Sequence, residues 1–115
     1  ISERLELAHQ IVEALEDKKG EDILLLDIKD IASFTDYFVI CNGTSERMLD
    51  ALAKGVLEAT KKDYKKKSRV EGQAGEGWLV LDYGDVVVHL FSPDMREYYD
   101  LEELWSDGKV LLRVQ

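Results

Sequence analysis

Residues 78–91 read WLVLDYGDVVVHLF, and this stretch decides the fold because it contains two β-prone segments joined by a short turn. Gly84-Asp85 is a two-residue Gly-X connection, which is typical of a type II′ β-hairpin. Pairing across this turn places Tyr83 opposite Val86 and makes one hairpin face entirely apolar. We expect that face to pack on the core: Leu79, Leu81, Tyr83, Val86, Val88 and Leu90.

The opposite hairpin face is mixed in character, with Trp78, Val80, Asp82, Val87, His89 and Phe91. It is too apolar for a surface that only meets water, and too polar for a sealed core. Two interpretations therefore stay open: a second layer of helices covers this face, or a partner binds there.

Outward from the hairpin, apolar spacing predicts two helices. The first begins with Ser2 as its N-cap, repeats apolar residues at helical spacing and ends at Gly20 as its C-terminal cap. The second follows residues 42–45, with Thr44 or Ser45 as its N-cap. The apolar stripes of the two helices are Leu5, Ala8, Ile11, Val12 and Leu15, and Met48, Leu49, Leu52, Val56, Leu57 and Tyr64.

Two further strands and two short helices complete the predicted elements. Continuous apolar runs at 23–28 and 37–41 indicate buried strands, and the glycines at 72, 75 and 77 indicate a loop. After Pro93, residues 94–99 and 101–105 are predicted to be short helices. The order of elements predicts a single α/β (α+β) domain over residues 1–115, with a mixed β-sheet and flanking helices.

Composition excludes several classes of protein. The chain has 115 residues, 15 Lys+Arg against 24 Asp+Glu, and a formal net charge of -9. An acidic chain repels phosphates, so no dedicated nucleic-acid site is expected. No apolar stretch reaches the ~20 residues of a membrane span. A single cysteine, Cys41, indicates a reducing, cytoplasmic location.

The charges are unevenly distributed. Residues 61–69 carry six bases and one acid, whereas residues 76–107 carry nine acids and one base. The basic run Lys61–Arg69 is either a solvated helix end or a contact for RNA. The acidic stretch coincides with aromatic residues, and this combination suits a basic protein partner.

Residues that could carry catalysis are few. Cys41 lies within an apolar strand, and His89 has no companion ligands at the spacing of a zinc site. Gly43-Thr44-Ser45 lies at a predicted helix N-terminus but lacks the lysine of a P-loop. Neither a metal nor a cofactor is therefore expected, and the chain is predicted not to be an enzyme. A phosphate-transferring enzyme that uses residues 43–45 with Asp82 and Asp85 remains the alternative.

Three blocks of the sequence resemble the Iojap-like, ribosomal silencing factor family. They are the stretch from Asp27-Ile28 through residues 36–45, the block Glu71-Gly72 with residues 78–89, and the tail REYYDLEELW at 96–105. The lysine-rich link at 65–69 departs from the family pattern. The resemblance implies a nucleotidyltransferase-like fold without the active site. It also implies binding to the large ribosomal subunit through ribosomal protein L-fourteen, which blocks joining of the small subunit and represses translation when nutrients are scarce.

A partner-binding surface is expected on the mixed hairpin face and the tail that follows it. Trp78 is predicted to be its main anchor, because buried aromatic side chains dominate protein interfaces. Asp82 and Asp85 are expected to meet basic side chains of the partner. The same exposed face could instead bury itself in a homodimer. The full predicted set is Trp78, Asp82, Tyr83, Asp85, His89, Arg96, Tyr98 and Tyr99.

Overall fold

The computed structural model describes residues 3–63 and 68–115, without the side chains of residues 62 and 63. Its helices are α1 (Glu3–Asp17), α2 (Glu46–Asp63), α3 (Pro93–Tyr99) and α4 (Leu101–Leu104), and residues Ala74–Glu76 form one turn of 3-10 helix. Its strands are β1 (Glu21–Asp27), β2 (Tyr37–Asn42), β3 (Arg69–Gln73), β4 (Trp78–Asp82), β5 (Val86–Phe91) and β6 (Lys109–Val114). The predicted α+β class is confirmed.

The six strands form one mixed sheet in the order β3-β4-β5-β2-β1-β6. The central pair β2 and β5 is parallel, and the neighbouring pairs on either side are antiparallel. Every residue of β2 and β5 is buried, as expected for central strands covered on both faces. The edge strands β3 and β6 are mostly exposed.

The predicted hairpin is confirmed together with its register. Leu79 pairs with Leu90 and Leu81 with Val88, and the Tyr83 N–H donates a hydrogen bond of 2.9 Å to the Val86 carbonyl. Gly84 has φ = 85°, a conformation that glycine adopts without steric cost. The turn and the register therefore agree, and the two hairpin faces are assigned correctly.

The apolar hairpin face lies in the main core beneath α1 and α2. This core includes all six residues of that face, together with Leu7, Ile11, Leu15, Ile23, Leu25, Val39, Leu49, Leu52 and Val56. The mixed face joins a second cluster with Leu24, Leu26, Phe38 and Ile40, and side chains from the α3–α4 segment cover part of it. The interpretation of a covering layer holds in part, because Val87 and Phe91 are buried while Trp78 is only half-buried. Binding of a partner to this face stays a prediction.

Two strands were not predicted from the sequence. The segment expected to be a glycine loop forms β3 and a 3-10 turn, and the C-terminal residues form β6. Gly72 lies within β3 at φ = 88°, where a Cβ would overlap the Trp78 carbonyl oxygen. All of β3 is exposed. Because neither face of the strand packs on a core, its sequence has no alternation of apolar and polar residues by which a half-buried strand could be identified.

The cap of α1 differs from the prediction by one residue. Lys19, at φ = 63°, occupies the left-handed position, and the Gly20 N–H donates to the Leu15 carbonyl at 2.8 Å. Glycine is required at position 20 because a Cβ there would overlap the Cys41 Sγ. At α2, the Ser45 Oγ accepts a hydrogen bond from the Met48 N–H at 3.0 Å and caps the helix.

Some predicted features lie outside the described residues. These are the Ser2 cap, the contribution of Tyr64 to the stripe of α2, and the middle of the basic run Lys61–Arg69. Among the described residues, no helix is both long enough and apolar enough to cross a lipid bilayer.

The assignment of the hairpin faces can be tested with Val88→Asp. Val88 is fully buried between Val39 and Leu81 in the sheet, so the variant would bury an unpaired carboxylate. We expect a loss of at least about 3 kcal/mol in the free energy of unfolding, measured by urea denaturation. A stability close to that of the wild type would show that this face does not form the core.

Candidate functional site

Trp78 lies in an aromatic cluster where β4 begins and β5 ends. Its ring centroid is 5.1 Å from that of Phe91, with which it pairs across the hairpin, and 4.4 Å from that of Tyr99. Tyr99 reaches Trp78 because α3 starts immediately after β5, at Pro93, with the Ser92 Oγ accepting a hydrogen bond from the Met95 N–H at 3.3 Å. The chain reversal at Ser92 therefore builds the cluster.

A groove of about 280 Å³ opens beside this cluster. Its lining residues come from β3, the 3-10 turn, β4 and α3: Glu71, Gly72, Glu76, Trp78, Val80 and Tyr99. Both glutamates are exposed, and Tyr98 next to Tyr99 is 76% exposed. The groove thus combines aromatic walls with two carboxylates, which is a suitable environment for a cationic side chain.

The sequence prediction missed Glu71 and Glu76. They reach the groove because β3 pairs with β4, with Glu71 opposite Val80 and Gln73 opposite Trp78. The sequence contains no signal for this pairing, since β3 has no buried face. Gly72 permits the close approach of β3 to Trp78.

His89 lies behind Trp78 on the mixed face and is 7% exposed. The Trp78 Nε1–H donates a hydrogen bond of 3.2 Å to the His89 Nδ1. Burial lowers the pKa of His89 to about 4, and the nearby Asp82 carboxylate opposes this effect. The imidazole is therefore neutral at neutral pH. The sequence analysis placed His89 among the residues that contact a partner, and its burial corrects that prediction.

Arg96 is also buried rather than available to a partner. Its Nε donates to the Glu102 carboxylate at 2.7 Å, and its Nη1 donates to the Asn42 side chain at 3.0 Å and to the Asp22 carbonyl. Asp22 has φ = 48°, and the hydrogen bond from Arg96 helps to stabilise this uncommon conformation. Arg96 therefore joins α3 to α4, β1 and β2, which corrects its predicted role as a surface contact.

Tyr83 is a third correction, because it belongs to the main core. Its side chain is 4% exposed, and its hydroxyl lies 2.9 Å from the Thr60 hydroxyl on α2. Burial raises the pKa of Tyr83, although its hydrogen bonds to Thr60 and Ser68 oppose the shift. It lies on the hairpin face opposite to Trp78 and cannot share a surface with it.

Asp82 and Asp85 lie at the other end of the hairpin from Trp78. The separation along β4 is about 13 Å from residue 78 to residue 82. The Asp82 carboxylate accepts a hydrogen bond from the Gly84 N–H at 2.8 Å, and the Asp85 carboxylate is 3.4 Å from the Arg4 Nε. Of the predicted site residues, the structure brings together Trp78, Tyr98 and Tyr99, with His89 behind them.

The residues considered for catalysis are held in structural contacts. Burial raises the pKa of the Cys41 thiol to about 12, so it is not a thiolate at neutral pH. At the start of α2, Ser45 caps the helix and the Thr44 Oγ1 lies 3.4 Å from the Met48 Sδ. In the described part of the chain, no group of three or more His, Cys, Asp or Glu side chains could hold a metal ion.

Comparison with known proteins identifies relatives over nearly the whole chain. The family model described as "Ribosomal silencing factor during starvation" matches residues 1–114. A ribosomal silencing factor of Bacillus subtilis is 42% identical over 83% of this chain and 80% of its own length. One from Halalkalibacterium halodurans is 40% identical over 90% of this chain and 88% of its own length.

The fold has a close counterpart among solved structures. A crystal structure of a protein from Chromobacterium violaceum superimposes with a TM-score of 0.86 at 38% sequence identity. The match covers 91% of this chain and 88% of that one. The overall fold is therefore shared with an experimentally determined structure.

Burial of His89 predicts how stability depends on pH. In the unfolded chain the imidazole has its ordinary pKa of 6.5, so below that pH the unfolded state binds a proton that the folded state excludes. Stability is therefore lost as the pH falls from 6.5 towards 4, by about 2 kcal/mol between pH 7.5 and pH 5. Urea unfolding at both pH values checks this, with His89→Gln as the non-titrating control. An equal loss in the two proteins would contradict the assignment.

Proposed function

Because the chain belongs to the ribosomal silencing factor family, we propose that it represses translation by binding the large ribosomal subunit through ribosomal protein L-fourteen. In this proposal the bound protein occupies the face that meets the small subunit, so that the two subunits cannot join. Repression then depends on occupancy of that face and requires no chemical reaction.

The observation that carries the proposal is the acidic and aromatic groove beside Trp78. Glu71 and Glu76 supply negative charge, and Trp78 and Tyr99 supply aromatic faces. A Lys or Arg side chain can form ion pairs and cation–π contacts with such walls. Ribosomal proteins are commonly basic, so a basic surface of L-fourteen is the partner proposed for this groove. The exposed Tyr98 would extend the contact beyond the groove.

The contacts of the candidate catalytic residues also favour occlusion over catalysis. Two-metal phosphoryl transfer needs carboxylates that are free to hold divalent ions. Asp82 is engaged with the turn and Asp85 with Arg4. The enzymatic alternative therefore lacks support from these two residues.

Two further interactions, homodimerisation and contact with ribosomal RNA, can each be measured separately. Homodimerisation through the Trp78 surface would compete with ribosome binding, so sedimentation at increasing protein concentration tests it. Contact of the basic run Lys61–Arg69 with ribosomal RNA would make binding steeply dependent on salt. The proposed site of action is the cytoplasm, where the ribosomal subunits are found.

Steric blocking can be tested in a subunit-joining assay. If occlusion is the mechanism, inhibition should follow the molar ratio of this protein to large subunits and should persist in the presence of a chelator. Large subunits that lack L-fourteen should no longer bind the protein in sedimentation. Restoration of joining by the chelator would contradict pure occlusion, and undiminished binding to the depleted subunits would exclude L-fourteen as the partner.

The groove itself can be tested with Trp78→Ala. We expect this variant to weaken large-subunit binding by at least about 2 kcal/mol, because central aromatic residues dominate interfaces. Tyr83→Phe is the matched control, since it removes a buried hydroxyl on the other hairpin face. It should lower stability by about 1 kcal/mol without changing binding. Melting temperatures measured beside dissociation constants separate the two effects, and normal binding of a folded Trp78→Ala protein would place the anchor elsewhere.

A further inference from the structure

We propose that His89 is a positioning residue, which holds the Trp78 indole in the orientation that forms the groove wall. The inference rests on the proposed function, because it assigns the wall of the proposed binding groove to a specific buried contact. His89 would not touch the partner, and its effect on binding would pass entirely through Trp78.

The hydrogen bond between Trp78 and His89 determines the tautomer of the imidazole. An indole Nε1–H can only donate, so the His89 Nδ1 at 3.2 Å must be the acceptor. The proton of the neutral imidazole is then on Nε2. Only this tautomer gives Trp78 a hydrogen-bond partner at this position.

The His89 ring is itself held by aromatic neighbours. Its centroid lies 4.7 Å from that of Phe38, and the two ring planes meet edge to face at 73°. It lies 6.0 Å from the centroid of Phe91, whose ring plane is nearly parallel, at an angle of 10°. Phe38 belongs to β2 and Phe91 to β5, so the acceptor is attached to the centre of the sheet. A hydrogen bond to an acceptor in a fixed position restricts the orientation of the Trp78 indole.

The second imidazole nitrogen shows that His89 is a costly choice for this position. Its Nε2 is buried and has no hydrogen-bond partner within residues 3–63 and 68–115. A buried donor without a partner lowers stability, whereas an apolar ring of similar size would avoid that cost. Packing alone does not explain a histidine here, but the need for an acceptor facing Trp78 does.

Orienting the indole before binding benefits recognition. A side chain that is already fixed loses less conformational entropy when a partner arrives. Trp78 also contacts Tyr99, so the hydrogen bond from Trp78 to His89 fixes one side of the pair that lines the groove. The acceptor on β5 therefore contributes to binding at a distance from the partner.

The proposal can first be tested on the unmodified chain by nitrogen-15 NMR at neutral pH. We expect the His89 Nδ1 to show the shift of an unprotonated nitrogen and Nε2 that of a protonated one. The Trp78 indole proton should also exchange with solvent more slowly than that of a tryptophan in an unfolded peptide. The opposite tautomer, or unprotected exchange of that proton, would overturn the proposal without any variant.

Two variants then separate positioning from packing. His89→Phe keeps an aromatic ring and removes the acceptor, whereas His89→Gln keeps an acceptor. In a Trp105→Phe background Trp78 is the only tryptophan, so its emission and iodide quenching report its environment directly. We expect His89→Phe to shift the emission to longer wavelength, increase quenching and weaken large-subunit binding about tenfold, with substantial recovery in His89→Gln.

The outcomes distinguish this inference from the proposed function. If folded His89→Phe leaves the emission, quenching and binding unchanged, His89 does not position Trp78. If the wild-type protein does not bind large subunits, the proposed function fails, and if Trp78→Ala binds them normally, the anchor lies elsewhere. In either case the NMR and fluorescence results still decide whether His89 holds the indole.

Discussion

The register of β4 against β5 is the constraint on which the rest of the structure depends. Side chains alternate between the two faces of a strand, so a shift of one residue would move Val88 out of the core and His89 into it. The turn at Gly84 fixes that register, because a positive φ is available there without strain. With the register set, the main core and the groove are assigned to opposite faces of the same two strands.

The two faces of the hairpin also differ in the residues and helices that pack against them. One face holds Tyr83 and the helices α1 and α2, and the other holds Trp78, His89 and the short helices after Pro93. Two buried polar contacts lie on the second side of the sheet: the Trp78 indole donates to His89, and the Arg96 guanidinium donates to Glu102 and Asn42. Buried hydrogen bonds thus hold the side chains and the helix that line the groove.

The elements with a strong local pattern were predictable from the sequence, and those that depend on long-range pairing were not. The hairpin, β1, β2 and the helices follow from apolar spacing and turn residues. The exposed edge strands β3 and β6 have no such pattern, so Glu71 and Glu76 could not be assigned to the groove. Burial of Arg96 escaped prediction because its partners Asp22, Asn42 and Glu102 come from separate parts of the chain.

The contacts of Arg96 tie the groove to distant parts of the chain. Tyr99 follows Arg96 within α3, and Arg96 is joined to residues that lie 54 and 74 positions earlier in the chain. Local opening of β1 from β2 would remove one of the three acceptors of the guanidinium and weaken the anchoring of the helix that carries Tyr99. The groove is therefore a product of long-range contacts rather than a local motif, because the helix that carries Tyr99 is anchored to strands from the first half of the chain.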